Sequence, residues 1–415
     1  MIVSFIIRIN YNILSLFSQV KFFHIYYKFF HIFITEIFVS AMIYINNTVI
    51  CHTADMKKIV EVIVGVFLTF FPSFHLSPKA KYFNGFPNGQ KVEIRTVAVN
   101  ETVEHLFTHC LISHPEIAFQ PNNPYGKHLD RDCLTPKEFR LILSELYQNG
   151  YTLVNPLHTF SFDENGAKRR AFSFPKDKKP FILSFDDVVY ATKNKGNGLS
   201  DKLILKKNGD ISAYTETAEP SLHKEEFIPI LEEFIEKHPD FSYQNARGIL
   251  FLTGFDGILG YRTQKDSPTR NSDTEQVKPL VKALKEKGWL FGSHSYAHGH
   301  MKTYTPEQMK SDAEKWKNQV EPLVGKTPFY AYPYGEWVVG DDERATILSS
   351  FGFQLFFGVG EKPFYSKMPL DESQNKILFQ DRCAMDGVSL RNGNCNRFFD
   401  AKNVYDCRRP IPLIG

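Results

Sequence analysis

Short apolar runs alternate with stretches of helical period along most of this chain, and that alternation is what most narrows its folding options. From about Val92 onward the pattern repeats. Thr135-Pro136-Lys137-Glu138 supplies an N-cap, a proline at the first helical position and a glutamate placed for a capping box. A helix is therefore predicted to about Gln148, with Gly150 as its stop signal. Strands are predicted over residues 151–154, 181–185, 248–253, 289–292, 328–332 and 353–359, and helices over 224–237, 275–287 and 342–350, with another opened by Thr305-Pro306. Repeated strand–helix units imply an α/β fold with a parallel sheet. Their number and spacing suit a (β/α) barrel better than two sheets, although periodicity alone also fits an open sheet. The polar stretch 191–223 reads as an insertion or small β excursion after the strand that ends in Asp186-Asp187.

Three polar clusters fall just past the ends of predicted strands: Asp186-Asp187, His294, and Pro333-Tyr334-Gly335. In β/α barrels the C-terminal face carries the chemistry, so this shared placement is the main functional signal. Each cluster is weak alone. His294 and His298 are four residues apart, which on a helical turn would aim both imidazoles at one ion. His105 and His109 have the same spacing, so the spacing does not single out a site. Asp186 and Asp187 follow the apolar run 181–185 and emerge at a strand tip. Adjacent residues of an extended chain point to opposite sides, so one carboxylate could bind a metal while the other faces a substrate water. A phosphatase of the haloacid dehalogenase type would need a second Asp two residues on, where this chain has Val188.

Two histidines and one carboxylate form an open site suited to zinc or another divalent ion. A neighbouring carboxylate that is not a ligand could then accept a proton from water, and an amide leaving group would need an acid. Nucleic acid is not an expected partner, because the formal net charge is only +3 and both signs are mixed. The six cysteines form no C-x-x-C pair, which leaves no thiolate zinc site. Three lie near the C-terminus, where an oxidising compartment would allow a bridge and a reducing one would keep free thiols.

The first 55 residues are rich in Ile, Phe, Tyr, Asn and His and differ from the rest. Met56-Lys57-Lys58, an apolar run over 59–71 and Pro72 follow the pattern of a secretory signal peptide, although Glu61 interrupts it. Residues 1–55 read as a misread upstream segment or as a membrane segment, and 56–77 as a signal peptide or membrane anchor. Both readings put the remainder outside the cytoplasm, secreted or on the cell surface, with membrane attachment through the N-terminus as one option. A catalytic domain is expected over 92–390 and a C-terminal tail over 391–415.

Ser184-Phe185-Asp186-Asp187, His294-Ser295-Tyr296-Ala297-His298 and Tyr332-Pro333-Tyr334-Gly335 resemble, in order and context, the motifs of the NodB-homology polysaccharide deacetylases. The resemblance spans roughly residues 97–387. It implies a distorted (β/α) barrel with parallel strands and a divalent metal ion, zinc first among candidates. It also implies Asp186 as catalytic base, Asp187, His294 and His298 as metal ligands, and Pro333, Tyr334 and Gly335 as the loop that holds substrate and oxyanion. Two features depart from many members. Ala331 stands where an arginine usually steadies the base, and no histidine follows His300 to serve as the acid. Both departures are shared by the permuted poly-N-acetylglucosamine deacetylase branch, whose acid histidine lies on the first strand. That branch is the nearest in motif layout and implies His109 as the acid, with His300 as the fallback. Arg382 is a candidate for the missing arginine.

The activity implied is hydrolysis of N-acetyl groups on an extracellular N-acetylated polysaccharide, releasing acetate. An O-acetyl esterase and a catalytically inactive carbohydrate-binding module are the alternatives. Tyr190, Phe255, Tyr261 and Arg262 are candidate sugar contacts, or else packing residues.

Overall fold

The structure, a computed structural model, describes residues 82–83, 92–216, 221–338, 342–360 and 377–413. The expectations for 1–55 and 56–77 lie outside the described residues. Among the described residues no helix is long and apolar enough to cross a membrane.

Eight parallel strands form the central sheet: β1 Glu104–Thr108, β2 Tyr151–Leu153, β3 Lys179–Phe185, β4 Ile249–Leu252, β5 Leu290–Ser293, β6 Phe329–Ala331, β7 Leu355–Val359 and β8 Leu378–Ala384. Seven of them close a ring in the order β1, β3, β4, β5, β6, β7, β8. The final seam joins β8 to β1 through Cys383↔Leu106 and Ala384↔Phe107. β2 lies outside the ring and pairs with the first half of β3, while the second half of β3 pairs with β4. The barrel alternative is thus the one adopted. Strand positions agree with the sequence reading to within a few residues. β8 lies outside the predicted strands, and β1 was expected only from the resemblance that puts His109 on a first strand.

The two faces of the strands bury different sets of side chains. Ile182, Ile249, Phe251, Phe329, Leu355, Phe357 and Leu378 fill the barrel interior. The opposite faces pack against the surrounding helices α1 Pro136–Gln148, α2 Phe227–Lys237, α3 Arg270–Glu286, α4 Pro306–Gln319 and α5 Glu343–Ser350. The predicted capping box of α1 forms: Glu138 N–H donates to Thr135 Oγ1 at 3.2 Å, and Thr135 N–H donates to Glu138 Oε2 at 2.8 Å. α3 ends as expected at Gly288, whose φ of +99° favours glycine and whose added Cβ would stand 2.4 Å from Asn245 O.

Above the apolar floor the interior turns polar. His105 Nε2 lies 2.8 Å from Ser184 Oγ and Nδ1 lies 3.4 Å from Gln380 Oε1, while Arg382 Nη1 donates to the same Ser184 Oγ at 3.2 Å. His105 is therefore a buried packing and hydrogen-bonding residue. The insertion after β3 is a β excursion, with Lys202–Leu205, Ile211–Thr215 and Ser221–His223 forming an antiparallel sheet. The C-terminal segment does not hang free: Cys395, Phe398, Phe399 and Val404 join the same core as the barrel helices. All five cysteines among the described residues are free thiols.

Phe185 anchors the barrel wall below the Asp pair. Its ring stacks on Phe227 at 3.9 Å between centroids and touches Trp289 and Phe139. Phe185→Ala is expected to lower stability by about 3–5 kcal/mol, read as a shift in the urea unfolding midpoint. A midpoint within error of the unsubstituted protein would contradict this account of the wall.

Candidate active site

A cavity of about 780 Å³ opens at the C-terminal ends of the strands. His109, Asp186, Asp187, His294, His298, Tyr334 and Gly335 all line it. Strand geometry explains this convergence. In the β1–β3 pairing Thr108 faces Phe185, so His109 and Asp186 leave the sheet at the same level. Leu252 faces Ser293 in the β4–β5 pairing, which puts His294 there too.

The two aspartates do separate, though not by extended-chain alternation. Asp187 has a φ of 54°, in the left-handed region. That turn sends Asp186 inward and leaves Asp187 beside the histidines. Asp186 is buried and meets Arg382 in a two-pronged pair, with Nη1 to Oδ1 at 2.7 Å and Nη2 to Oδ2 at 2.8 Å. Arg382 is itself fully buried, and its guanidinium carbon lies 4.2 Å from the Phe107 ring centroid. Burial alone would raise the Asp186 carboxyl. Arg382, by its charge and its hydrogen bonds, outweighs that effect and holds the group well below the usual carboxylate range. Arg382 on β8 thus occupies the place that Ala331 leaves empty in the sequence motif.

His294 and His298 converge without a helical turn. The segment between them is a loop, and Ser295 and His298 take φ values of 62° and 53°. Asp312 on α4 holds the loop. Its carboxylate accepts from Ser295 Oγ at 3.1 Å, Tyr296 N at 2.8 Å and Ala297 N at 2.9 Å. Ser295 Oγ in turn accepts from His298 N at 3.1 Å. Asp312 belongs to no motif, yet the sequence carries a signal for it: it shares the buried face of α4 with Met309, Ala313 and Trp316. A carboxylate at an apolar-face position implies buried partners.

The donors fit a divalent ion. Ligand atoms of Asp187, His294 and His298 all lie within 4.8 Å of one another. Donors about 2 Å from a shared centre are about 3–4 Å apart, and Asp187 is 3.4 Å from His298 Nε2 and 4.0 Å from His294 Nε2. His294 Nδ1 donates to Ala331 O at 2.9 Å, which fixes the ring and turns Nε2 toward Asp187. Burial lowers the pKa of both histidines, to about 4 for His298, so both rings are neutral, as ligands must be.

His109 Nδ1 donates to Asp132 O at 2.8 Å, which leaves Nε2 as its second nitrogen in the cavity. His300 is placed differently. It stacks on Tyr334 at 4.2 Å, and its Nδ1 lies 3.1 Å from Glu336 Oε1, on the rim. Pro333, Tyr334 and Gly335 form a tight turn in which Tyr334 has a φ of 57°. The Tyr334 ring stands edge-on to His298 at 4.6 Å. Of the candidate sugar contacts, Phe255 and Tyr190 line the cavity. Tyr261 donates to Leu203 O and Arg262 pairs with Asp256, so both serve packing.

The model of the family described as polysaccharide deacetylase matches residues 261–356, which contain His294, His298 and the Pro333–Gly335 turn. Among solved structures, the Streptococcus pyogenes deacetylase PplD in complex with acetate is similar at 14% identity and a TM-score of 0.42, covering 72% of this chain and 98% of its own. The chitin deacetylase of the fungal pathogen Colletotrichum lindemuthianum has 12% identity, a TM-score of 0.24 and coverage of 42% and 76%. A CE4-family pseudoenzyme from Bacillus anthracis has 18% identity, a TM-score of 0.23 and coverage of 41% and 52%. Comparison with curated protein sequences gives no match.

Behind Asp187 the cavity wall is tied by Glu226. Its Oε1 accepts from Leu111 N and Phe227 N, both at 2.9 Å, joining the turn after β1 to the start of α2. Burial raises the Glu226 pKa to about 8 against the pull of those two N–H groups. A raised folded-state pKa gives stability that is full below the unfolded value and lost as pH climbs through the folded one.

Two outcomes are expected from this geometry. Stability should fall between about pH 4.5 and 8 by up to about 1.4 kcal/mol per unit from this group, and Glu226→Gln should flatten that slope; parallel slopes in denaturant titrations would refute it. Asp312→Ala should weaken Zn²⁺ affinity about 10–100-fold, measured by chelator competition. Undiminished affinity would show that the loop does not depend on Asp312.

Proposed function

We propose that this protein removes N-acetyl groups from an extracellular polysaccharide by metal-assisted hydrolysis, releasing acetate. One observation carries the reading: an ionised buried carboxylate, a His₂Asp donor set and a histidine oriented through its Nδ1 all line one cavity.

Asp187, His294 and His298 would hold the ion, and zinc suits a donor set of two imidazoles and one carboxylate. Such an ion would supply Lewis acidity for the acetyl carbonyl and for an attacking water. Asp186 takes the proton from the attacking water. Arg382 keeps it ionised and fixes the plane of its carboxylate, while each oxygen retains a lone pair beyond its bond to the guanidinium. His109, held through Nδ1–H by Asp132 O, receives a proton at Nε2 and passes it to the departing nitrogen. The turn at Pro333, Tyr334 and Gly335 flanks the acyl group, and backbone N–H groups there suit a developing oxyanion.

Phe255 and Tyr334 are exposed aromatic rings on the cavity wall, which suits the apolar faces of sugar rings. The first-strand position of His109 and the Asp186–Arg382 pair support a layout like that of the poly-N-acetylglucosamine deacetylases. The extracellular setting rests on the signal-like pattern after Met56.

Zinc-loaded protein incubated with poly-N-acetylglucosamine, chitooligosaccharides and acetylxylan should release acetate from an N-acetylated polymer. Release from acetylxylan alone would instead favour the O-acetyl esterase. No release with metal confirmed bound would favour an inactive binding module. Asp186→Asn is expected to lower kcat about 10²–10⁴-fold with zinc affinity retained, and unchanged turnover would remove Asp186 from the base role.

A further inference from the structure

The segment after Asp386 carries no motif, yet it drives one arginine into the core beside the active site. Arg409 is 5% exposed, and its guanidinium makes five hydrogen bonds. Two go to the Glu138 carboxylate, from Nε to Oε1 at 2.6 Å and from Nη2 to Oε2 at 2.7 Å. The other three grip the short helix Gly126–Asp132 and the residue after it. Nη1 donates to Asp130 O at 2.7 Å and to Asp130 Oδ1 at 3.0 Å, and Nη2 donates to Cys133 O at 2.7 Å.

Asp132 lies between those two anchored residues, and its carbonyl is the acceptor that orients His109. A carbonyl direction is set by its peptide plane, and fixing the residues on both sides leaves that plane little freedom. The backbone following β8 presses on the same spot. A Cβ on Gly387 would stand 1.9 Å from Asp130 O and 2.6 Å from Arg409 Nη1, so only glycine fits. Arg391 adds a further tie, with Nη1 3.0 Å from Asp130 Oδ2.

We infer that Arg409 is a positioning residue for His109: it locks the peptide whose carbonyl selects the His109 tautomer and aims Nε2 into the cavity. This rests on the proposed role of His109 as the acid that protonates the leaving nitrogen. A purely structural clamp would support the fold without influencing which substrates are turned over. A positioning role predicts selectivity, because an amide needs leaving-group protonation and an activated aryl ester does not.

The test compares turnover of N-acetylated chitooligosaccharide with that of 4-nitrophenyl acetate by the zinc-loaded full chain. Arg409→Lys keeps the charge and loses the planar fork. It should lower the amide-to-ester turnover ratio by about tenfold or more, within the 10²–10⁴ that an acid contributes. Gly387→Ala, which crowds Asp130 O and Arg409 Nη1 without changing any charge, should shift the ratio in the same direction and serves if the lysine variant fails to fold. Selective ¹⁵N-histidine labelling gives a readout independent of turnover. The His109 signal should be that of a ring protonated at Nδ1, and should move toward mixed tautomers in both variants.

Equal losses on both substrates, or an unchanged His109 signal in folded variants, would overturn the inference. His109→Ala runs alongside. If it leaves the ratio unchanged, the acid assignment fails and takes this inference with it. If it lowers the ratio while Arg409→Lys and Gly387→Ala do not, the acid assignment stands and only the positioning role fails.

Discussion

A guanidinium and a carboxylate, both removed from water inside a barrel, set the terms for everything above them. Burying either ion alone is prohibitive, and a buried pair holds only when geometry and surrounding hydrogen bonds are complete. Arg382 and Asp186 meet that condition with two parallel bonds, a third from Arg382 to Ser184 and the face of Phe107 against the guanidinium. The polar layer of His105, Ser184 and Gln380 is their solvation shell. Below it the interior is apolar, and above it lies the cavity. The pair therefore marks the boundary between the packed core and the chemistry.

The histidine side is built on a different principle. His294 and His298 sit in a loop with left-handed residues, a conformation that costs free energy at each non-glycine position. Asp312 offsets that cost with three hydrogen bonds from a rigid helix. Support from a regular element is what allows a loop to hold donors at fixed spacing.

Much of this was legible in the chain itself. The helix cap at Thr135, the apolar run ending at Asp186 and the strand-end placement of three polar clusters located the fold and its working face. Local pattern could not say how His294 and His298 converge, because a loop conformation fixed by a distant carboxylate has no period. Ala331 at the expected arginine position left a partner to be found, and Arg382 was a candidate for it, but local pattern could not place that residue against Asp186, 196 positions away. The tail after Asp386 was opaque for the same reason: Arg409 acts through contacts more than 270 positions away, with |i−j| of 271 to Glu138 and 279 to Asp130.

The seam between β8 and β1 also has a bearing on how the chain is made. Chains emerge N-terminus first, so β1 is synthesised long before the strand that covers its second edge. Until β8 arrives, that edge exposes unpaired N–H and C=O groups beside Leu106 and Phe107, the kind of surface that recruits other chains. The carboxylate of Asp186 likewise waits for its counter-ion on β8, so the barrel can neither close nor dehydrate its centre until that strand has been made. Late closure leaves that edge open to other chains during synthesis and ties the appearance of an ordered active site to the arrival of β8.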